Sequence, residues 1–413
     1  MTSFPDDFLW GVATAGHQNE GANVHSDIWF LEHTTPTLFR EPSGDACRGY
    51  DLFESDQDLV AARGLNALRF SVEWARIEPE RGVVVERELD HYERVVDAAL
   101  ERGLAPLVTL NHFAAPHWFS AAGSWLAPDA ADLFAAQADR VVARLGDRLA
   151  SVVTINEPNL EQLLQAGGKL PPIAEQIKQD MLASAARAAG SDRYYASNVI
   201  PAHAQADFQE AFTTAHRAAV TAAKAQRGDL PVGLSIAIAD DVALPGGEHH
   251  RDARRAAVYD HWLDVAREDD FIGVQNYERF TFDADGEVAV DGPRNGMGSV
   301  IEPGALAGAV RYAHQRSGVP VLVTEHGIQT DDDTQRAAFI PAALAELERE
   351  IASGTPVLGY CHWTLMDNFE WIFGYGPKLG LVAVDRETFA RTPKPSFDAY
   401  AAAVREARAV TVR

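Results

Sequence analysis

Two glutamates that each follow a short apolar run are the strongest candidates for chemistry in this chain. Glu157 comes directly after SVVTIN, and Glu325 comes directly after PVLVT. If both runs are strands of one barrel, the two carboxyl groups face its mouth from non-neighbouring strands. Facing carboxyl groups suggest acid/base or nucleophilic chemistry on a glycosidic bond. A single glutamate at a strand end is more often a helix cap or an ion-pair partner.

Other polar and aromatic side chains lie at the ends of similar runs. These residues are His17, Gln18, Glu20, Arg69, Glu73, Trp74, His112, Phe113, Asn156, Gln275, Asn276, Tyr277, His326, His362 and Trp363. Catalytic groups of a barrel enzyme gather where the strands end, because the loops converge over that face. Because Arg69, Asn156 and Tyr277 also lie at the ends of such runs, a shared site for the two glutamates is favoured over separate structural roles.

Eight short runs rich in β-branched and apolar residues would supply the strands that position these groups. They are Phe8–Ala15, Ala67–Trp74, Ala105–Phe113, Ser151–Asn156, Val232–Ala239, Phe271–Tyr277, Pro320–Thr324 and Val357–Leu365. The segments between them, such as Asp90–Gly103 and Asp129–Gly146, carry the apolar spacing of amphipathic helices. Alternating strands and helices predict a parallel α/β sheet, and eight repeats favour a closed (β/α)8 barrel, the TIM barrel.

We expect a single catalytic domain over residues 1–413. The stretch Gly167–Ala206 is long between the fourth strand and its helix, and Phe282–Pro303 is rich in Gly, Asp and Pro. Both are predicted to be loop insertions on the barrel, around residues 160–206 and 280–303. No abrupt change of composition, low-complexity tract or repeat marks a second domain.

The composition excludes several classes of protein. With 60 acidic and 36 basic residues the formal net charge is −24, which opposes binding to nucleic acid or anionic lipid. No apolar run approaches the roughly 18 residues that a bilayer span requires, and Met1 to Trp10 lacks the regions of a secretory signal. Two cysteines are too few for a disulfide framework. We expect a soluble, cytoplasmic protein with a small-molecule partner, and the sequence does not decide whether it forms a homo-oligomer.

Motifs along nearly the whole chain resemble those of glycoside hydrolase family 1, the β-glucosidase family. The opening FLWGVATAGHQNEGA resembles the family's first strand with its substrate-binding glutamine, and RFSVEWARIEPERG resembles its second strand. TINEPN resembles the acid/base motif, VLVTEHG the nucleophile motif TENG, and HWTLMDNFEWIFGY the sugar-binding loop. The resemblance implies a barrel enzyme that cleaves β-linked sugars.

Carried over position by position, the resemblance makes Glu157 the general acid/base and Glu325 the nucleophile of a retaining double displacement. The carboxyl groups of such a site lie about 5 to 5.5 Å apart. Arg69 and Tyr277 would keep Glu325 ionised, Glu157 would need a raised pKa, and Asn156 would bond the sugar 2-hydroxyl. The implied substrate-binding residues are Gln18, His112, Phe113, Gln275, Trp363, Glu370 and Trp371. The carboxylate at Glu370 implies a terminal, non-phosphorylated sugar, with glucose as the first candidate.

Several positions depart from the family pattern. His17 stands where the family usually has Tyr, Phe113 where it has Trp, His326 where it has Asn, and Leu379 where it has an aromatic residue. The segment VQNYER matches the family's VNYYxR only if Gln275 takes the Asn position, which keeps Tyr277 beside the nucleophile. These departures leave the aglycone and the ranking of gluco, galacto and fuco sugars open.

Three other hypotheses remain. The same residues could transfer the sugar to an alcohol instead of water, or the barrel could bind sugars without cleaving them. A metal-dependent hydrolase is suggested only by His112 with His117 and by His249–His250, and neither spacing is H-x-H or HExxH. We expect His249–His250 to be a solvated pair in a Gly-rich loop. No Walker loop or dinucleotide fingerprint appears, so we expect no metal, nucleotide or organic cofactor.

Overall fold

Eight parallel strands form a closed barrel in the computed structural model, which describes residues 4–168 and 172–411. The strands of the chain are β1 (Leu9–Ala13), β2 (Ala67–Ser71), β3 (Ala105–Asn111), β4 (Ser151–Asn156), β5 (Val232–Ala237), β6 (Asp240–Ala243), β7 (Phe271–Asn276), β8 (Arg279–Asp283), β9 (Gly286–Val288), β10 (Val321–His326), β11 (Val357–Trp363), β12 (Val382–Val384) and β13 (Arg391–Pro393). Around the barrel the order is β1-β2-β3-β4-β5-β7-β10-β11, and β11 pairs with β1. The predicted TIM barrel is therefore confirmed. Seven of the predicted runs contain a whole barrel strand, and the run Pro320–Thr324 covers only part of β10, which continues to His326.

Helices connect the strands, and several of them pack against the outside of the barrel. They are α1 (Gly16–Asn19), α2 (Asp27–Glu32), α3 (Gly49–Ala61), α4 (Trp74–Ile77), α5 (Glu86–Glu101), α6 (His117–Ala121), α7 (Ala130–Leu145), α8 (Leu160–Ala166), α9 (Pro172–Ala189), α10 (Gln205–Gln226), α11 (Glu248–Val258), α12 (Asp260–Val265), α13 (Ala305–Ser317), α14 (Asp333–Ala352) and α15 (Pro395–Thr411). In α5 the buried residues Leu89, Tyr92, Val96 and Ala99 recur every three or four positions, so one face of the helix packs on the barrel. No helix among the described residues is long and apolar enough to cross a membrane.

Side chains alternate along each strand between the barrel interior, which includes polar groups, and an apolar outer layer. On β2, Leu68 and Phe70 belong to the large apolar cluster under the helices, whereas Ala67 packs in a smaller cluster inside the barrel. Arg69 shares the inward side with Ala67, because side chains two positions apart on a strand point the same way. The closure needs Gly11 on β1, since a Cβ there would meet the Ala67 carbonyl oxygen at 2.9 Å and Cys361 Sγ at 3.1 Å.

The two insertions contain more regular structure than the sequence predicts. Within residues 160–206 the structure has α8 and α9, so the predicted loop is largely helical, and residues 169–171 lie outside the described part. Met181, Leu182 and Ala185 of α9 pack in a second apolar cluster with Phe369, which gives this helix a buried face. Within residues 280–303, β8 and β9 join β6 in a three-stranded sheet.

Candidate active site

Glu325 lies at the end of β10 and is held by one donor on each carboxylate oxygen. Arg69 Nη1 donates to Oε1 at 2.6 Å, and the Tyr277 hydroxyl donates to Oε2 at 2.6 Å. The side chain is nearly inaccessible, since Glu325 is 3% exposed. Burial raises the pKa of Glu325, and the charge of Arg69 and the Tyr277 hydrogen bond act against that rise. The pair therefore stabilises the ionised form of this carboxyl group.

Asn156 at the end of β4 has its amide orientation determined by three donors. Its Oδ1 accepts from Arg69 Nη2 at 2.6 Å, from Gln275 Nε2 at 2.7 Å and from Ser235 Oγ at 3.1 Å. The contact with Arg69 identifies this atom as the oxygen, because a guanidinium group only donates and an amide nitrogen accepts no hydrogen bond. The Nδ2 group is then the one that faces His112, at 3.4 Å from its Nε2, and it is available to a ligand hydroxyl.

Glu157 follows Asn156 directly and has a different electrostatic environment. Its backbone has φ of 47°, a left-handed conformation uncommon outside glycine, and its amide donates to the Ser235 carbonyl oxygen at 2.8 Å. Burial raises the pKa of Glu157 well above its usual range, and the negative charge of Glu325 raises it further. The charge of Arg69 acts in the opposite direction. Of the two carboxyl groups, Glu157 is thus the one that keeps its proton.

Three polar atoms at the mouth are buried and have no hydrogen-bond partner among the described residues. They are Gln18 Oε1, His112 Nδ1 and Gln275 Oε1. An unpaired buried polar atom is costly, so a ligand rich in hydroxyl groups would be stabilised here. Gln18 Nε2 donates to the Phe369 carbonyl oxygen at 2.8 Å and to Glu370 Oε2 at 3.2 Å. Because the amide nitrogen of Gln18 faces Glu370, the amide oxygen of Gln18 points away from Glu370.

His112 and Glu370 are both neutral in most molecules near pH 7. Burial, with the charge of Arg69, lowers the pKa of His112 well below its usual range. Burial and the charge of Glu325 raise the pKa of Glu370 to about 8. Neutral donors and acceptors of this kind suit hydroxyl groups better than ionic ligands.

Aromatic rings enclose the polar groups. The His112 ring lies nearly parallel to Trp363, with centroids 5.5 Å apart, and nearly parallel to Trp371 at 6.2 Å. Aromatic faces are favourable contacts for the C–H face of a pyranose. Phe113, predicted to bind substrate, is buried and meets Trp371 edge to face at 5.1 Å and His112 edge to face at 5.2 Å.

The positions that depart from the family motifs divide between the mouth and the surrounding core. Asn276 Nδ2 donates to the Ile238 and Glu278 carbonyl oxygens, so Gln275 is the residue that contacts Asn156. His326 stacks on Phe339 with its Nδ1 2.9 Å from the Tyr360 hydroxyl. Leu379 packs in the apolar cluster that contains Trp363. The alignment that gives Tyr277 its place beside Glu325 agrees with this arrangement.

The histidines considered as metal ligands do not meet at the mouth. His117 Nδ1 is 2.9 Å from the Tyr194 hydroxyl, and His249 and His250 lie in the first turn of α11 instead of the predicted loop. No group of three or more His, Cys, Asp or Glu residues in the described chain could hold a metal ion.

Ser235 is a site residue that the sequence analysis missed. It lies in the middle of β5, pairs with Asn156 across the sheet, and donates to the Asn156 side chain. A serine inside an apolar strand run has no distinctive signal. Only the inward alternation of Gly233, Ser235 and Ala237 could have indicated a residue that faces the barrel interior.

Comparison with known proteins adds independent findings. The family model described as glycosyl hydrolase family 1 matches residues 1–279 and 272–408. A bifunctional beta-D-glucosidase/beta-D-fucosidase of Bifidobacterium breve is 31% identical over 473 residues, with 96% of this chain and 97% of the relative covered. The crystal structure of beta-glycosidase BGL167 superposes with a TM-score of 0.91 at 45% identity, covering 99% of this chain and 98% of that one. A beta-glucosidase from Thermotoga maritima in complex with deoxynojirimycin gives a TM-score of 0.83 at 25% identity, with 99% of each chain covered.

Proposed function

The chain belongs to glycosyl hydrolase family 1 and is a glycoside hydrolase, and we propose that it is a retaining β-glucosidase. It would release a terminal, non-phosphorylated β-D-glycosyl residue from a small-molecule glycoside. The observation that carries the proposal is the asymmetry of the two carboxyl groups. Glu325 receives a hydrogen bond on each oxygen from Arg69 and Tyr277, whereas the buried Glu157 has its proton stabilised by the charge of Glu325. One group is prepared to attack and the other to donate a proton.

In the first step of the proposed mechanism, a Glu325 oxygen forms a bond to the anomeric carbon while the glycosidic C–O bond breaks. The proton of Glu157 goes to the departing oxygen. The negative charge of Glu325 is consumed in the new ester bond, and with it goes one cause of the raised pKa of Glu157. Glu157 is then a carboxylate with a lower pKa and can take a proton from water, which attacks the same carbon and releases Glu325.

Asn156 and the aromatic rings would position the sugar during both steps. The Asn156 amide nitrogen is directed by the three donors on Oδ1, which prepares it for the sugar 2-hydroxyl. A contact at that hydroxyl strengthens as charge develops at the neighbouring carbon. Trp363 would lie against the sugar face, and the free atoms of Gln18 and His112 would bond other hydroxyl groups.

The proposed preference for a neutral sugar follows from the cost of burying charge and not from repulsion between two negative groups. With a pKa of about 8, Glu370 is mostly protonated near pH 7 in the free enzyme. A phosphate dianion beside it would raise that pKa further. Phosphosugars are disfavoured because Gln18 and Glu370 would have to bury a dianion without supplying any positive charge.

The experiment that tests the proposal compares wild type and Glu325→Ala on a panel of p-nitrophenyl β-glycosides. We expect wild type to cleave the glucoside or a close epimer, and the variant to lose at least about 10⁴-fold in turnover, as is typical when a nucleophile is removed. Added azide or formate should partly restore activity to the variant, with an α-configured product.

A matched control is Glu350→Ala, because Glu350 is also buried but is paired with Arg311 outside the mouth. It should lose stability while its turnover in the folded protein stays close to wild type. A β-configured rescue product would refute the role of Glu325. Sugar binding by wild type without turnover would instead identify a binding protein, and glycoside formation from an added alcohol would measure transfer.

A further inference from the structure

His17 lies behind the sugar-binding residues and is 1% exposed. It belongs to α1, one position before Gln18. Its Nε2 is 2.8 Å from Glu32 Oε1, and the other oxygen of Glu32 accepts from the Ser43 amide at 3.0 Å and the Ser43 hydroxyl at 2.8 Å. Both oxygens of the Glu32 carboxylate are thus hydrogen-bonded, and the fixed carboxylate in turn orients the His17 ring.

The second ring nitrogen shows which tautomer is present. His17 Nδ1 is 3.3 Å from Ser26 Oγ and 3.4 Å from Asn23 Nδ2. Ser26 Oγ already accepts from the Trp29 amide, so its hydroxyl hydrogen is available to His17. Nδ1 therefore accepts, and Nε2 carries the hydrogen that is donated to Glu32. Both nitrogens are engaged, which determines the plane of the ring.

Trp371 lies against the plane of the His17 ring. The His17 and Trp371 rings are stacked, with centroids 5.7 Å apart and planes 8° from parallel. Trp371 has φ of 48°, and its backbone turns sharply so that the Gly374 amide donates to its carbonyl oxygen at 3.0 Å. A residue held in this sparsely populated conformation depends on its surroundings for support.

The same loop that holds Glu32 also holds the segment after Trp371. The Arg40 amide donates to the Ile372 carbonyl oxygen at 3.2 Å, and the Tyr375 amide donates to Glu41 Oε1 at 2.9 Å. The loop residues 40–43 thus contact Glu32 on one side and residues 372–375 on the other. His17, Glu32 and Trp371 are parts of one connected support.

We propose that His17, oriented by Glu32, is a positioning residue that supports the indole of Trp371. It thereby determines which sugars bind beside Glu370 and Trp371. The inference rests on the proposed function, because it takes Trp371 and Glu370 as sugar contacts. His17 touches no reacting atom, so its removal acts on KM and on the choice of sugar more than on kcat. A purely structural histidine would affect stability alone.

The test uses variants that separate the ring from the hydrogen bond. His17→Gln keeps an N–H donor for Glu32 without a ring, and His17→Leu removes the ring without adding a buried polar group. We expect either variant to raise KM for the p-nitrophenyl β-glucoside by about 10-fold and to change the glucoside to galactoside ratio of kcat/KM by about 5-fold or more. His17→Phe keeps a ring against Trp371 but loses the Glu32 hydrogen bond that orients it, so it should shift that ratio by less than the ring-less variants do, by no more than about 2-fold from wild type.

His216→Gln is the matched control. His216 is also 1% exposed, with its Nε2 3.0 Å from Asp269 and its Nδ1 2.7 Å from the Thr154 hydroxyl, but it lies on α10 away from the mouth. It should lower Tm without altering the sugar ratio. A wild-type ratio and KM in either ring-less variant, or an equal shift in His17→Phe, would overturn the proposal.

The affinity for deoxynojirimycin, measured by calorimetry, keeps this inference separate from the proposed function. If wild type cleaves no glycoside, the proposed function fails while the binding test still applies. A roughly 10-fold weaker Kd in His17→Gln than in wild type and His216→Gln would support the positioning role. Equal Kd values, or no binding by wild type, would refute it.

Discussion

Replacing Tyr277 by phenylalanine removes the hydroxyl that donates to Glu325 Oε2 at 2.6 Å. That hydrogen bond favours the ionised carboxylate and so lowers the pKa of Glu325. The phenyl ring keeps most of the packing, so the change isolates the hydrogen bond. A hydrogen bond to a charged group contributes about 1.5–3 kcal/mol, which corresponds to a rise of about 1–2 pKa units.

The pH dependence of kcat/KM reports this shift, because it reflects the titration of the free enzyme. In the proposed mechanism Glu325 must be ionised and Glu157 protonated, so the acidic limb of the pH profile follows the lower apparent pKa of the pair and the basic limb follows the higher one. In Tyr277→Phe the acidic limb should move to higher pH by about 1–2 units. The basic limb should move less, since the pKa of Glu157 is raised mainly by burial. The bell-shaped pH profile of kcat/KM becomes narrower on its acidic side, and the maximum value of kcat/KM falls.

The control for this prediction is Tyr400→Phe. Tyr400 is fully buried and donates to the Gly11 carbonyl oxygen at 2.9 Å, away from the carboxyl pair. Its loss should lower Tm and leave the profile in place. An unmoved acidic limb in Tyr277→Phe, or an equal movement in Tyr400→Phe, would show that the phenol does not stabilise the nucleophile.

Two further predictions concern a positioning contact and a buried ion pair. Ser235→Ala removes the 3.1 Å hydrogen bond to Asn156, so kcat/KM should fall by about 3- to 10-fold. The loss should shrink for a 2-deoxyglycoside, and an equal loss on both substrates would contradict the assigned contact. Lys178→Met leaves the buried Glu161 without its cation, so urea unfolding should show a loss of about 3 kcal/mol at pH 8. Burial already raises the pKa of Glu161, so protonation should make the loss smaller at pH 5, and a loss independent of pH would refute this account.

The barrel and the two glutamates at its mouth could be predicted from the sequence because both depend on local patterns. Each barrel strand is a short apolar run, and Glu157 and Glu325 come at or directly after the last residues of such runs. Most predicted runs extend beyond the strands, as with Phe8–Ala15 against Leu9–Ala13, but the run Pro320–Thr324 ends two residues before β10 does. The polar residues that line the mouth come where the hydrogen bonds between strands end. Apolar content alone does not show where those hydrogen bonds end, so the predicted bounds are less exact than the predicted strands.

The helix in the first insertion and the support of the site could not be predicted in the same way. The α9 helix is rich in alanine, and its buried face packs on Phe369, a residue far away in sequence. Ser235 is 79 residues from its partner Asn156, and Glu32 is 15 residues from its partner His17, so folding brings each pair together. Contacts of this kind join side chains far apart in the chain and leave no periodic signal.

The different roles that we propose for the two glutamates arise from their partners and not from their burial. Both carboxyl groups are buried, and burial is the largest cause of a raised pKa for each. Of the two glutamates, only Glu325 accepts hydrogen bonds from Arg69 and Tyr277, and the charge that they stabilise there helps to keep the proton on Glu157. Removing the Tyr277 hydroxyl therefore weakens both halves of the proposed mechanism at once, because a less ionised Glu325 is a poorer nucleophile and a weaker cause of the raised pKa of Glu157.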